Sequence, residues 1–145
     1  HVNGEGLPHL VMKAGGSAHP ATQETVANRE HFVYQEGRAV YKHAVTDMLT
    51  SSQDVMKRNN LTVDDIDWFV PHQANLRIIE AVGDRLGINP DKVLVNIQYR
   101  GNTSAASIPL CLDENKDKLK KGDKIVLTAF GAGFTWGAMY IVWDI

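Results

Sequence analysis

Short, almost wholly apolar runs alternate with long helical patterns along this chain, and this alternation restricts its fold more than any other feature. Residues 66–70 (IDWFV) form one such run, which a proline ends, and residues 93–95 (VLV) form another. Strands that are apolar on successive residues need cover on both faces. The two runs therefore predict buried strands of a sheet that lies between layers of helices.

Three segments carry the spacing of amphipathic helices. Apolar residues recur every three or four positions over residues 37–58, 75–86 and 104–119, which predicts a helix in each segment. Gly87 is expected to end the second helix. Pro109 would lie in the first turns of the third, where proline costs least.

The C-terminal part predicts a closing pair of strands. Residues 124–130 form a strong apolar strand pattern, the turn Gly131-Ala132-Gly133 interrupts it, and residues 138–143 predict a last strand. Helices alternate with the earlier strands, which favours parallel pairing, whereas the last two strands can form an antiparallel hairpin. The expected fold is α/β, with layered helices on a mixed, mostly parallel sheet.

The chain divides into an irregular lead-in and a core. Glycines and prolines interrupt residues 1–34, apart from a short strand expected around residues 9–12, and residues 35–145 carry the α/β pattern. A length of 145 residues suits one domain. The first residue is His1, with no initiator methionine and no apolar signal core, so we expect a chain cut from a longer protein, or a processed or cloned domain.

Composition excludes several classes of function. The net charge of −2 gives no reason to expect nucleic acid or an anionic membrane as a partner, and no apolar run approaches the length of a membrane span. The single cysteine, Cys111, rules out an internal disulfide and favours a reducing, cytoplasmic setting. The six histidines are scattered and no metal-binding motif is present, so no metal site is expected.

Polar side chains and glycines follow three predicted strands. They lie at His72 to Asn75, at Arg100 to Ser104 and in the Gly131-Ala132-Gly133 turn. Because ligands of α/β sheets gather at the carboxyl ends of strands, the three loops are expected to converge on one site. A histidine and an asparagine can together donate hydrogen bonds to one oxygen, and the N–H groups of the turn can bind a second oxyanion.

Each of these features also has a structural interpretation. His72 taken alone could be a structural histidine, Asn102 could cap a helix, and the glycines could form an ordinary hairpin turn. Cys111 lies within an apolar helical stretch and is expected to be an inert buried residue. The residues by themselves leave these alternatives open.

Three motifs resemble those of β-ketoacyl-acyl-carrier-protein synthase III. The segment 70–78 (VPHQANLRI) is similar to the family's histidine motif and 101–109 (GNTSAASIP) to its asparagine motif. The segment 129–137 (AFGAGFTWG) is similar to its terminal glycine loop. The motifs occur in the family's order, and the resemblance runs from about residue 1 to the last strand. It implies the C-terminal half of a thiolase-like fold, with the N-terminal half absent.

The resemblance implies an acyltransferase that starts fatty acid synthesis. Such an enzyme moves an acyl group from acyl-CoA to a cysteine and condenses it with malonyl-acyl carrier protein; it has no cofactor beyond the thioester substrate and forms a homodimer. The cysteine motif belongs to the N-terminal half and has no match here. This chain alone is therefore expected to be inactive in condensation.

The resemblance also assigns roles to residues. His72 and Asn102 would be catalytic and stabilise the malonyl enolate, the backbone N–H of Ala132 would serve an oxyanion hole, and Phe130 would lie near the nucleophile. Arg77 would dock the carrier protein, although a solvated helix face is the alternative. Residues expected to contact CoA or pantetheine are Gly37, Arg38, Tyr41, Ala74, Asn75 and Ile78.

Three positions depart from the family's usual residues. Alanine stands at position 132 where glycine is usual, and a backbone donor survives this change unless the turn needs positive φ. Arg38 and Tyr41 stand where asparagine and phenylalanine are more common. Two other functions also fit the motifs: a related synthase of secondary metabolism, and a non-catalytic subunit that binds CoA or a carrier protein.

Overall fold

The computed structural model describes all 145 residues, which form five α-helices, five strands and several short 3₁₀ helices. The helices are α1 (Gln23–Ala27), α2 (Gly37–Arg58), α3 (Leu76–Leu86), α4 (Ile97–Arg100) and α5 (Ser107–Glu114). The strands are β1 (Leu10–Val11), β2 (Tyr34–Gln35), β3 (Trp68–Pro71), β4 (Lys124–Gly131) and β5 (Thr135–Val142). None of the helices is long and apolar enough to cross a membrane.

The main sheet is mixed, as the sequence predicts. Its order is β3-β4-β5, with β3 parallel to β4 and β4 antiparallel to β5. Val93 extends the sheet beyond β3 through a parallel bridge to Phe69, and Val2 forms an antiparallel bridge to Thr135 beyond β5. A separate antiparallel ribbon joins β1 to β2 in the lead-in.

Helices cover both faces of this sheet because its strands are apolar on successive residues. In β3, Phe69 belongs to the core beneath α2 and α3, whereas Val70 belongs to a smaller core shared with α5. Neighbouring residues of β4 divide in the same way, Val126 to the first core and Ile125 to the second. All four side chains are fully buried, which confirms the expected two-sided cover.

Two helices begin and end where the sequence predicts. α2 covers residues 37–58 as expected. α3 begins after Asn75, whose side-chain oxygen accepts a hydrogen bond from the N–H of Arg77 at 2.9 Å. It ends at Gly87, which adopts the left-handed conformation with φ of 77°.

The prediction of a strand over residues 93–95 is wrong, because only a single bridge forms there. The N–H of Leu94 donates to the carbonyl of Phe69 at 2.9 Å, but the pairing stops there. The next N–H groups, those of Asn96 and Ile97, donate instead to the side chain of Gln73. A buried side chain therefore ends the strand after one bridge and leads the chain into α4, a turn that the sequence patterns did not predict.

The helix expected over residues 104–119 is divided into three pieces. Ser104 has φ of 54°, outside the helical region, and Ser104–Ala106 forms only a 3₁₀ turn before α5. At the other end Asn115 donates from its side chain to the carbonyl of Cys111 at 2.8 Å, and a second 3₁₀ turn follows. Pro109 lies in the first turn of α5, as expected.

The lead-in is attached to the core through a close backbone approach. Asn3 exchanges backbone hydrogen bonds with Phe134, at 2.8 Å and 2.5 Å, and buried Gly6 lies against the Phe134 ring. A Cβ atom at Gly6 would meet ring atoms at 2.4 Å and the backbone nitrogen at 2.7 Å. Only glycine therefore allows this contact.

We expect Gly6→Ala to destabilise the fold by about 1–3 kcal/mol, because the added methyl overpacks the contact with Phe134. Gly4→Ala is the matched control, since it lies in the same 3₁₀ helix and a Cβ there has nothing within 4 Å. Urea-induced unfolding of both variants measures the difference. Equal free energies of unfolding for Gly6→Ala and the unchanged protein would contradict the contact.

Candidate active site

The three polar loops predicted at strand ends line one cavity. Its volume is about 1280 Å³, and His72, Asn102 and Ala132 all contribute to its wall. His72 follows β3, whereas Ala132 lies in the turn between β4 and β5. The expected convergence of the three loops is therefore present.

Every site residue named from the sequence lines this same cavity. The set comprises Gly37, Arg38, Tyr41, His72, Ala74, Asn75, Arg77, Ile78, Asn102, Phe130 and Ala132. The roles assigned to them stay predictions. Residues to which the sequence gave no role in the site also line it, among them Met48, Ser107 and Thr135.

His72 is held from its backbone and from one ring nitrogen. Its N–H donates to the carbonyl of Thr128 on β4 at 2.8 Å, which continues the parallel pairing of β3 and β4. Nδ1 lies 2.6 Å from the hydroxyl oxygen of Ser107, whereas Nε2 has no partner in the protein. Burial lowers the pKa of His72, so the ring is neutral at neutral pH.

Asn102 uses one end of its amide for structure and leaves the other end free. Its side-chain oxygen accepts a hydrogen bond from the N–H of Ser104 at 2.8 Å. This contact resembles the capping role that the sequence left open, because it closes a turn before α5. The NH₂ group has no partner in the protein and is available to a ligand in the cavity.

Ala132 offers a free backbone donor. Its N–H donates to no group of the protein, and its carbonyl accepts a hydrogen bond from the Thr135 hydroxyl at 2.9 Å. Ala132 is not among the residues with positive φ, whereas Gly133 has φ of 137°. Alanine therefore fits this turn without strain, and the left-handed position falls on the following glycine.

Two arginines without a carboxylate partner line the cavity. Arg38 and Arg77 are both exposed, and neither forms an ion pair with a carboxylate. The Arg77 guanidinium lies 5.5 Å from the centre of the Tyr41 ring, within the range of a cation–π contact. Helices α2 and α3 thus present two cations beside an aromatic ring at this part of the wall.

The remaining candidates give the wall a mostly apolar character. Phe130 and Ile78 are buried, and the Phe130 ring lies 4.8 Å from that of Phe134. Gly37 opens α2. Ala74 is half-buried beside exposed Asn75, the cap of α3.

Sequence reasoning missed the role of Gln73, although it lies within the quoted histidine motif. Its side chain is fully buried, and the NH₂ group donates to the carbonyls of Pro71 at 2.8 Å and Leu94 at 3.3 Å. Its oxygen accepts from the N–H groups of Asn96 at 2.9 Å and Ile97 at 3.2 Å. The amide thus joins the histidine loop to the segment that leads to Asn102.

Cys111 has the inert environment that the sequence predicts. It is fully buried in the smaller core. Burial, and secondarily the negative charge of Glu114, raises the pKa of its thiol to about 11. The thiol is therefore protonated at neutral pH and does not line the cavity.

Comparison with known proteins places the chain in a family. The C-terminal family of 3-oxoacyl-[acyl-carrier-protein] synthase III matches residues 56–143. A β-ketoacyl-[acyl-carrier-protein] synthase III of Porphyromonas gingivalis is 64% identical over 143 residues, which cover 99% of this chain. The chain belongs to the β-ketoacyl-acyl-carrier-protein synthase III family.

Solved structures confirm the predicted fold class. A synthase III from Thermus thermophilus superposes with a TM-score of 0.86 at 38% identity. The match covers 99% of this chain and 44% of the T. thermophilus chain. The Pseudomonas aeruginosa synthase III gives a TM-score of 0.87 at 35% identity, and the match covers 100% of this chain and 44% of the P. aeruginosa chain. The chain likewise spans 43% of the length of the P. gingivalis relative. It has the thiolase-like fold of the C-terminal part of synthase III.

We expect Gln73→Ala to destabilise this synthase III domain by about 3 kcal/mol or more, because it leaves two carbonyls and two N–H groups without their partner. Gln53→Ala is the control, since Gln53 is exposed on α2 and its loss is expected to change stability by less than about 0.5 kcal/mol. Urea-induced unfolding measures both. Similar small effects of the two substitutions would show that the Gln73 hydrogen bonds contribute little.

Proposed function

We propose that this chain is the C-terminal domain of a condensing enzyme that joins an acyl-CoA primer to malonyl-acyl carrier protein and so starts fatty acid synthesis. The supporting observation is one cavity whose wall carries three polar groups without a partner in the protein: Nε2 of His72, the NH₂ of Asn102 and the N–H of Ala132. The nucleophilic cysteine would lie in an N-terminal domain, because Cys111 is buried away from the cavity.

The first half-reaction would form an acyl-enzyme. The thiolate of the N-terminal cysteine attacks the acyl-CoA carbonyl, the carbon–sulfur bond to CoA breaks, and CoA leaves as a thiolate that takes up a proton from water. Negative charge develops on the carbonyl oxygen, and the N–H of Ala132 would stabilise it. Phe130, buried in the cavity wall, would lie beside the nucleophile and help exclude water.

The second half-reaction would use His72 and Asn102. Carbon dioxide leaves the malonyl thioester, and the electron pair of the broken carbon–carbon bond passes into an enolate. Hydrogen bonds from Nε2 of His72 and the NH₂ of Asn102 would stabilise the enolate oxygen. Its α-carbon then attacks the acyl thioester, which forms the new carbon–carbon bond and releases the cysteine thiolate.

A neutral histidine suits this role. Burial lowers the pKa of His72, so the ring stays neutral to a lower pH than an exposed histidine would. A neutral ring holds a proton on only one nitrogen, and the proposed reaction needs that proton on Nε2, which has no partner in the protein.

The cations beside the cavity would receive the carrier. Arg38, Tyr41 and Arg77 support contacts to phosphopantetheine and an acidic carrier protein, because the cations have no carboxylate partner within the chain. Residues proposed for the pantetheine wall are Gly37, Ala74, Asn75 and Ile78. We further propose a homodimer of the complete enzyme, in the cytoplasm, with no cofactor beyond the thioester substrate.

A second candidate function is a related synthase of secondary metabolism. It is favoured by the structural likeness to the priming β-ketosynthase of the R1128 polyketide pathway, with a TM-score of 0.82 at 31% identity over 99% of this chain. The two functions share the three motifs and would differ in the acyl donor. The range of accepted primers therefore separates them.

The first experiment measures the intact mass of the complete protein after incubation with a panel of acyl-CoAs. We expect one acyl adduct on a cysteine outside this chain, followed by release of a β-ketoacyl product on addition of malonyl-acyl carrier protein. A preference for short primers would favour fatty acid synthesis, and unusual primers would favour secondary metabolism. No adduct from any donor would favour a binding subunit.

His72→Ala is expected to leave acyl adduct formation largely intact and to slow condensation by roughly a hundredfold or more, because it removes one donor to the enolate. The assay follows β-ketoacyl product by mass. Gln53→Ala, on the exposed side of α2, serves as the control for the handling of the variants. Unchanged condensation by His72→Ala would overturn the catalytic assignment.

A further inference from the structure

Ser107 makes a contact that the proposed reaction does not assign. It is the first residue of α5, its side chain is 1% exposed, and its hydroxyl oxygen lies 2.6 Å from Nδ1 of His72. The backbone N–H of Gln73 lies 3.3 Å from the same oxygen. These are the two partners that the structure gives the hydroxyl.

The chemistry of these two partners fixes the direction of both hydrogen bonds. A backbone N–H can only donate, so the Ser107 oxygen accepts from Gln73. The hydroxyl hydrogen then needs an acceptor, and a buried hydroxyl rarely goes without one. Nδ1 of His72 is the acceptor within reach, and it can accept only when it carries no hydrogen.

We propose that Ser107 is a positioning residue that holds the neutral ring of His72 in the tautomer with the proton on Nε2. The opposite tautomer would direct N–H from Nδ1 at Ser107 and leave the buried hydroxyl hydrogen without an acceptor. It would also leave a bare lone pair on Nε2, on the side where the proposed condensation needs a donor. The expected effect of Ser107 on the reaction rate rests on the proposed function. The tautomer of His72 rests only on the hydrogen bonds around Ser107.

The surroundings hold Ser107 firmly in place. Its Cα belongs to α5, which packs against β3, and the N–H of Gln73 directs a hydrogen bond at its hydroxyl oxygen. Gln73 is in turn fixed by the four hydrogen bonds of its own side chain. The Gln73 side chain that joins the histidine loop to the segment before Asn102 therefore also fixes the backbone N–H that orients the Ser107 hydroxyl.

The tautomer can be measured directly on the complete protein that contains this chain. Nitrogen NMR of ¹⁵N-histidine-labelled protein, at alkaline pH where His72 is neutral, distinguishes a protonated ring nitrogen from a bare one. His72→Gln identifies the signals of His72 among those of the other histidines. We expect a bare Nδ1 and a protonated Nε2 in the unchanged protein, and a mixture of tautomers in Ser107→Ala. A protonated Nδ1 in the unchanged protein would overturn the proposal.

Kinetics provide the second readout. Ser107→Ala is expected to lower kcat for condensation about tenfold, less than the roughly hundredfold cost of removing an oxyanion donor, with acyl adduct formation unchanged. Ser107→Thr retains a hydroxyl and is expected to recover the tautomer and part of the rate. Ser52→Ala is the matched control, because its fully buried hydroxyl bonds only to the carbonyl of Met48 within α2.

The outcomes separate this inference from the proposed function. If the unchanged protein condenses substrates and Ser107→Ala does so equally fast with one fixed tautomer, the inference is wrong and the proposed function stands. Suppose instead that the unchanged protein condenses nothing, but has a single His72 tautomer that becomes a mixture in Ser107→Ala. The assigned reaction is then wrong, and the positioning of His72 by Ser107 stands. An equal loss of rate in Ser52→Ala and Ser107→Ala would show that the rate falls because the fold is destabilised, and it would overturn the inference.

Discussion

The side chain of Gln73 is the contact on which the geometry of the site depends. Buried backbone groups need partners, and four of them at the end of β3 and after Val93 find theirs in this one amide. The sheet stops there because the amide replaces the neighbouring strand as hydrogen-bond partner. As a result the chain turns into α4 and returns with Asn102 on the wall of the cavity that His72 lines.

This arrangement keeps polar groups satisfied in the interior and free at the cavity. Gln73 is fully buried and uses both of its oxygen lone pairs and both amide hydrogens within the protein. Asn102 is exposed to the cavity and uses only its oxygen, and His72 uses only Nδ1. A donor left without a partner costs little where water or substrate reaches it, so the wall can hold free donors that the core could not.

The sequence predicted the long elements well because their signals are local. The apolar spacing of α2, the cap of α3 and the alternation of buried residues in β4 all depend on neighbours within a few positions. The short strand at residues 93–95 and the long helix at residues 104–119 failed for a different reason. Their true ends are set by the Gln73 amide and by the left-handed Ser104, and neither is visible from the periodicity of apolar residues.

The candidate site divides in the same way between local and tertiary signals. His72, Asn102 and Ala132 could be named because each follows a predicted strand and lies in a motif of the family. Gln73 and Ser107 lie in those same motifs but received no role, since their partners are 34 or 35 residues away for Ser107 and up to 24 for the Gln73 side chain. Contacts at that separation depend on the packing of α5 against β3, which no local pattern encodes.

The side chains of this domain limit the chemistry that it can supply. The cavity wall holds a neutral imidazole, an amide and a backbone N–H, which in the proposed reaction would donate hydrogen bonds to negatively charged oxygen. The single thiol of the domain, that of Cys111, does not line the cavity, and burial keeps it protonated. Donors of this kind accelerate a reaction only where another group generates the charge. In the proposed reaction this domain would therefore stabilise an oxyanion or enolate, and the thiolate for the covalent step would come from the N-terminal domain.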